Sequence, residues 1–114
     1  MIDFACKQFN LRDIIKCSLG LTKGDLAVFE HLVKRNGRHR TEEIAHALKV
    51  DTSTVQRAVK KLHEKQLLRR TQMNLEGGGY VYVYEANDKR AIRRIIMEIV
   101  QSWTKRVEKE LETW

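Results

Sequence analysis

Apolar residues recur at spacings of three and four over most of this chain, and the few stretches that break the rhythm mark its turns and strands. In VDTSTVQRAVKKLHEKQLL, residues 50–68, Val55, Ala58, Val59 and Leu62 form one helical stripe. Asp51, Thr52 or Ser53 can cap the start of this helix by accepting hydrogen bonds from free first-turn amides. The buried stripe leaves Ser53, Gln56, Arg57 and Lys60 on another face, flanked by Thr52, Thr54 and Lys61. Just upstream, TEEIAHALKV predicts a short helix from Thr41, with Ile44, Ala45 and Leu48 inward and acids in the first turn, where the helix dipole favours them. A short helix, a turn over Lys49 to Thr52 and a longer basic helix make a helix-turn-helix.

The same reading extends to both ends. Asp3 to Cys17 is expected to be a first helix with Phe4, Ala5, Phe9, Ile14 and Ile15 on its apolar side, in one piece or two, since Asn10 and Gly20 punctuate it. A second helix starts at Thr22, where Thr-x-x-Asp is a variant of the capping box, and stops at Asn36-Gly37. The Arg38-His39-Arg40 connector that follows is short enough to pair as a strand. Beyond Leu68 the period shortens to two. Leu68 to Leu75 and Tyr80 to Glu85 read as strands joined by Glu76-Gly77-Gly78-Gly79, a β-hairpin with a flexible tip. Tyr80, Tyr82 and Tyr84 are assigned first to sheet packing, with base stacking as the alternative.

From Asn87-Asp88 onward about 25 residues run without Gly or Pro, and Ile92, Ile95, Ile96, Ile99, Trp103, Val107 and Leu111 recur at threes and fours. A domain this small cannot cover so long a stripe. A second copy packing on it, forming a homodimer, is the expected solution, with packing on the first helix as the alternative. The predicted architecture is mainly α with a small β-hairpin wing: a winged helix-turn-helix over residues 1–86, then a dimerisation helix over residues 87–114.

Charge sharpens this picture. The chain carries a formal net charge of +7, but between His31 and Leu75 there are eleven Lys and Arg against four Asp and Glu, while the remainder holds eleven of each. A positive field concentrated around the basic helix attracts polyanions, and nucleic acid is the commonest that a cytoplasmic protein meets. Anionic membrane is the rival, yet the basic segment lacks a bulky lipid-facing side. Gln and Arg can make bidentate bonds to purine edges in the major groove, while Ser, Thr and Lys suit phosphate oxygens. The candidate DNA-contacting set is therefore Thr52, Ser53, Thr54, Gln56, Arg57, Lys60 and Lys61, extended by Arg38 and Arg40 of the connector and Arg70 at the base of the wing.

Other chemistry is disfavoured. No stretch reaches the roughly 20 apolar residues of a membrane span, and MIDFACKQFN lacks a signal-peptide pattern, so a cytoplasmic location is expected. Cys6 and Cys17 would lie about 16 Å apart along one helix, too far for a disulfide or a shared metal, and are expected to be buried thiols. His31, His39, His46 and His63 show no metal-ligand spacing. The triple glycine lacks the Lys-Ser/Thr ending of a P-loop. Neither a catalytic constellation, a metal, a cofactor nor a small-molecule effector site is expected.

Leu21-Thr22 opening the second helix, Thr41-x-x-Ile44-Ala45 with Leu48, Ser53-Thr54-Val55-x-Arg57, and Leu67-Leu68-x-Arg70 entering the hairpin together resemble the archaeal TrmB-like transcriptional regulators and their MarR-type relatives. The resemblance spans about Leu21 to Tyr84. It implies that the helix holding Thr52, Ser53, Thr54, Gln56, Arg57 and Lys60 enters the major groove, and that Arg70 in the wing touches backbone or minor groove. It also implies promoter DNA as the partner; the homodimer expected from the C-terminal helix would present two such helices, so the operator is expected to be an approximate inverted repeat. An RNA-binding or protein-interaction winged helix is the alternative. Two features depart from the pattern. Gln66 stands where many relatives have Gly in the turn leaving the recognition helix, and no segment is available for the sugar-sensing domain of larger members, so a sugar response is not expected.

Overall fold

The computed structural model describes all residues, Met1–Trp114, and divides into two compact units: Thr22–Asp88, and Met1–Leu21 together with Lys89–Trp114. The first unit contains three helices, α2 (Lys23–Lys34), α3 (Thr41–Leu48) and α4 (Thr52–Glu64), followed by an antiparallel hairpin of β3 (Leu68–Asn74) and β4 (Tyr80–Ala86). This is the winged helix-turn-helix architecture expected from the sequence, within Thr22–Asp88 where the expectation ran over residues 1–86. Its core is continuous: Leu26, Val28, Phe29 and Leu32 of α2, Ile44 and Ala45 of α3, Val55, Ala58, Val59 and Leu62 of α4, and Leu67, Leu68, Val83 and Tyr84 around the hairpin are all buried. Each fully buried Val or Leu contributes about 1.5–3 kcal/mol relative to exposure, so the α4 stripe alone fixes which side of that helix faces out.

Local signals set the ends of these helices. Thr22 caps α2 with its hydroxyl accepting from the Asp25 amide at 3.1 Å, while the Thr22 amide donates to Asp25 Oδ2 at 3.0 Å, completing the capping box. α3 and α4 both end in a residue with left-handed backbone, Lys49 at φ 57° and Gln66 at φ 64°. In each case the next amide reaches back five residues, Val50 to Ala45 and Leu67 to Leu62, both at 3.0 Å, a closure that normally favours glycine. Asp51 occupies the N-cap of α4, but its side chain makes no capping hydrogen bond; its backbone carbonyl accepts from Thr54 and Val55 instead. The connector pairs as a strand as expected: His39 exchanges two 2.8 Å backbone hydrogen bonds with Tyr84.

The other unit differs from expectation at its start. Residues 2–9 form a short antiparallel hairpin, β1 (Ile2–Phe4) and β2 (Lys7–Phe9), and not a helix; α1 runs Leu11–Leu19. The reason is Asn10, whose side chain accepts from the Asp13 amide at 2.8 Å and so begins the helix at that point. Upstream, Phe4 and Phe9 meet edge to face at 5.7 Å across the hairpin, a contact that suits either reading of their spacing. Cys6 falls in the hairpin turn and Cys17 on the outer side of α1, so both thiols are exposed and the expectation of buried cysteines does not hold. Gly20 ends α1 in the left-handed region. α1 packs on α5 (Lys89–Glu112), the long C-terminal helix, where Ile92 is buried and Ile95, Ile96 and Ile99 are half-buried; every residue from 101 to 114 is exposed. No helix is long and apolar enough to cross a membrane.

Candidate nucleic-acid interface

The outward face of α4 follows directly from its buried one. With Val55, Ala58, Val59 and Leu62 at 1% exposure or less, Ser53, Gln56, Arg57 and Lys60 stand in solvent along a single side of the helix. None of the four side chains makes an ion pair within the chain, and their hydrogen-bonding groups are available to a partner. Thr52 and Thr54 are half-buried beside this face. The Thr54 methyl lies close to the first turn of α2: a Cβ added at Gly24 would sit 3.9 Å from it, in ordinary contact.

Lys61 is placed differently. Its ammonium donates to Asp25 Oδ2 at 2.9 Å, joining α4 to the capped end of α2. Burial by itself would raise the Asp25 pKa, but hydrogen bonds from the Thr22 amide, Lys61 and the Thr22 hydroxyl, with the Lys61 charge, outweigh it and hold the carboxyl below its usual range. Lys61 therefore orients the helix, and the partner carries no local sequence signal because it lies 36 positions away.

The remaining candidates are dispersed around the wing. Arg38 and Arg69 each approach Glu85 Oε1 at 3.7 Å, an acceptor that the sequence did not mark. Arg40 is half-buried at the N-cap of α3. Arg70 stacks its guanidinium 4.3 Å from the Tyr82 ring centroid, and Tyr82 in turn meets Tyr80 edge to face at 5.4 Å. The strand register puts Arg70, Gln72 and Asn74 opposite Tyr84, Tyr82 and Tyr80, on one face of the hairpin. Tyr84 is buried and packs as assigned, whereas Tyr80 remains more than half exposed. His31 of α2 meets His39 of the connector edge to face, with ring centroids 6.1 Å apart; burial first, then the neighbouring Arg35 and His39, hold the His31 pKa below its ordinary value. No group of three His, Cys, Asp or Glu side chains is arranged to hold a metal.

A three-helix core, a hairpin wing and an uncommitted polar-basic face on the second helix of a helix-turn-helix define a winged-helix protein. Residues 15–90 match the family model described as sugar-specific transcriptional regulator TrmB, and the chain belongs to this family. The family is one of transcriptional regulators and not of enzymes. Over its whole length the chain superposes on a possible transcriptional regulator from Methanosarcina mazei Go1, with 53% identity, 96% of that chain covered and a TM-score of 0.94. It is 34% identical over 107 residues to the uncharacterised protein MJ1503 of Methanocaldococcus jannaschii, covering 94% of this chain and 80% of the relative. The MarR protein of Peptoclostridium difficile shares the fold at 21% identity and a TM-score of 0.57, over 91% of this chain and 65% of that one.

Proposed function

We propose that this regulator binds double-stranded DNA sequence-specifically as a homodimer, with α4 in the major groove and the wing on the flanking backbone or minor groove. The carrying observation is the face of Ser53, Gln56, Arg57 and Lys60, exposed and unpaired above a fully buried stripe. In this reading Gln56 and Arg57 meet base edges, while Ser53 and Lys60, assisted by Thr52 and Thr54 at the helix start, hold phosphates. Lys61 acts behind the interface by fixing the helix. Arg38, Arg40 and Arg70 supply further phosphate contacts once DNA competes for Arg38 and Arg70.

The dimer is supported by α5. Trp103 is 58% exposed, Leu111 57% and Trp114 98%, and a stripe of this kind finds apolar cover in a second copy. Ile92, Ile95, Ile96 and Ile99 continue the same stripe toward the part that α1 already packs against, with Val107 between Trp103 and Leu111. Two recognition helices related by a twofold axis would then meet successive major grooves about 34–36 Å apart, on an inverted repeat.

Selection from randomised duplex DNA at about 150 mM salt, with excess competitor, tests the whole reading. Enrichment of an inverted repeat is expected. Arg57→Ala should then cost about 1–3 kcal/mol on that site and relax base choice at one position per half-site. Binding of a monomer to one short asymmetric site, or no enriched motif, would sink the proposal.

A further inference from the structure

The charge balance outside residues 31–75 hides a local cluster. Lys89, Arg90, Arg93 and Arg94 occupy the first turns of α5, with Asp88 the one acid among residues 86–97. All four are exposed, and none forms an ion pair. Three physical effects oppose this arrangement. Cations at the start of a helix face the positive end of its dipole, and the one acid beside them is Asp88, just before the first turn. Lys89 with Arg93, and Arg90 with Arg94, are like-charged at i, i+4 and repel. Positions 89, 90, 93 and 94 fall within one arc of the helix, so the four charges share a side and no solvent-facing carboxylate divides them.

We propose that this cluster is a second, sequence-independent contact to duplex DNA, binding phosphates outside the bases that α4 reads. It rests on the DNA-binding reading above and adds to it a site on another helix. A polyanion removes all three penalties at once, and three of the four cations are Arg, whose guanidinium matches phosphate bidentately. An acidic segment of a second copy is a weaker match, because the exposed end of α5 sets Glu108, Glu110 and Glu112 among Lys105, Arg106 and Lys109. The cluster also begins close to the DNA-binding unit along the chain. Asn87 donates from its backbone to Leu67 O at 3.0 Å and from its side chain to Gln66 O at 2.9 Å, anchoring it to the turn leaving α4. Lys89 follows two residues later, about 7 Å of chain at most.

The full-length protein and its Lys89→Gln/Arg90→Gln/Arg93→Gln/Arg94→Gln variant are compared on a mixed-sequence duplex of about 40 base pairs, titrated between 50 and 200 mM salt. If each protomer makes at least one phosphate contact through the cluster, the slope of log affinity against log salt becomes shallower by about 2 for a dimer. The variant then loses about tenfold less affinity than wild type over that salt range. Arg57→Ala, measured in parallel, should keep the slope and lose preference for any selected site. Because phosphates need no sequence, the comparison can be made even if no operator is ever enriched, so failure of base reading and failure of the cluster remain separate. An unchanged slope and affinity in a variant with native circular dichroism overturns the proposal. So does a change in oligomeric state with no change in slope, which would assign the cluster to a protein interface. Restoring Arg93 and Arg94 alone should recover at least half of the lost slope.

Discussion

Thr22–Asp88 and the far half of α5 use the same residue types to opposite ends. In the first, the apolar stripes of three helices and a hairpin close on one another, and Ile44, Val55, Leu62 and Leu67 reach 0% exposure. In the second, Trp103, Val107 and Leu111 repeat at helical spacing with nothing over them. The lesson is that periodicity reports which side of a helix must be covered, not what covers it. A stripe that closes within the chain stabilises a fold; one left open poses the question of its cover, which the proposed dimer answers.

The largest effect should come from attacking the open stripe. Trp103→Glu with Leu111→Glu places charges where the proposed dimer is apolar, and sedimentation should show monomer in place of dimer. The wild-type Tm should rise with protein concentration and the variant's should not. A wild type whose Tm ignores concentration would instead mean that the stripe stays bare. Leu62→Ala attacks the closed stripe and should lower unfolding stability by about 2–5 kcal/mol in a urea titration.

A smaller effect is expected at the polar tie within the closed unit. Asp25→Asn should cost about 1–2 kcal/mol at neutral pH, toward the low end because Lys61 is partly in water. The folded-state pKa of Asp25 is depressed, so its contribution is complete above the ordinary carboxylate value of 3.8 and disappears as pH falls below it. Wild type and variant should therefore converge in acid. A gap that did not narrow at all as the pH fell below 3.8 would show that the carboxylate charge is not what matters. The smallest effect is a gain: Gln66→Gly relieves a left-handed conformation and should stabilise by up to about 1 kcal/mol, read as a small rise in Tm.

Within Thr22–Asp88 the sequence was close to sufficient. The Thr22-x-x-Asp25 box, the end of α2 just before Asn36-Gly37 and the wing strands appear where their local signals put them, and Gln66 is left-handed at the turn where the resemblance implies glycine. Local signals failed where two readings shared one pattern. Phe4 and Phe9 suit a helical face, but Asn10-x-x-Asp13 was the real helix start, and a hairpin turn at Ala5-Cys6 has neither Gly nor Pro to announce it. Lys49 was missed for a related reason: a left-handed lysine has no compositional signature.

The partners of the candidate site were less legible than its face. Periodicity alone separated Ser53, Gln56, Arg57 and Lys60 from the core. The pairing of Lys61 with Asp25, of Arg38 and Arg69 with Glu85, and of Arg70 with Tyr82 depends on contacts between elements distant in sequence or on strand register. Counting charge over long windows also concealed the basic start of α5, since acids elsewhere cancelled it in the sum.

The separation of roles on α4 has a practical consequence. What anchors the helix, Val55, Ala58, Val59, Leu62 and the Lys61–Asp25 pair, shares no side chain with the exposed quartet. Positions 53, 56, 57 and 60 can therefore be randomised together with little effect on folding, apart from helix propensity. On the proposed DNA-binding reading, a library confined to those four codons would be a scaffold for retargeting, in which new address and old architecture vary independently.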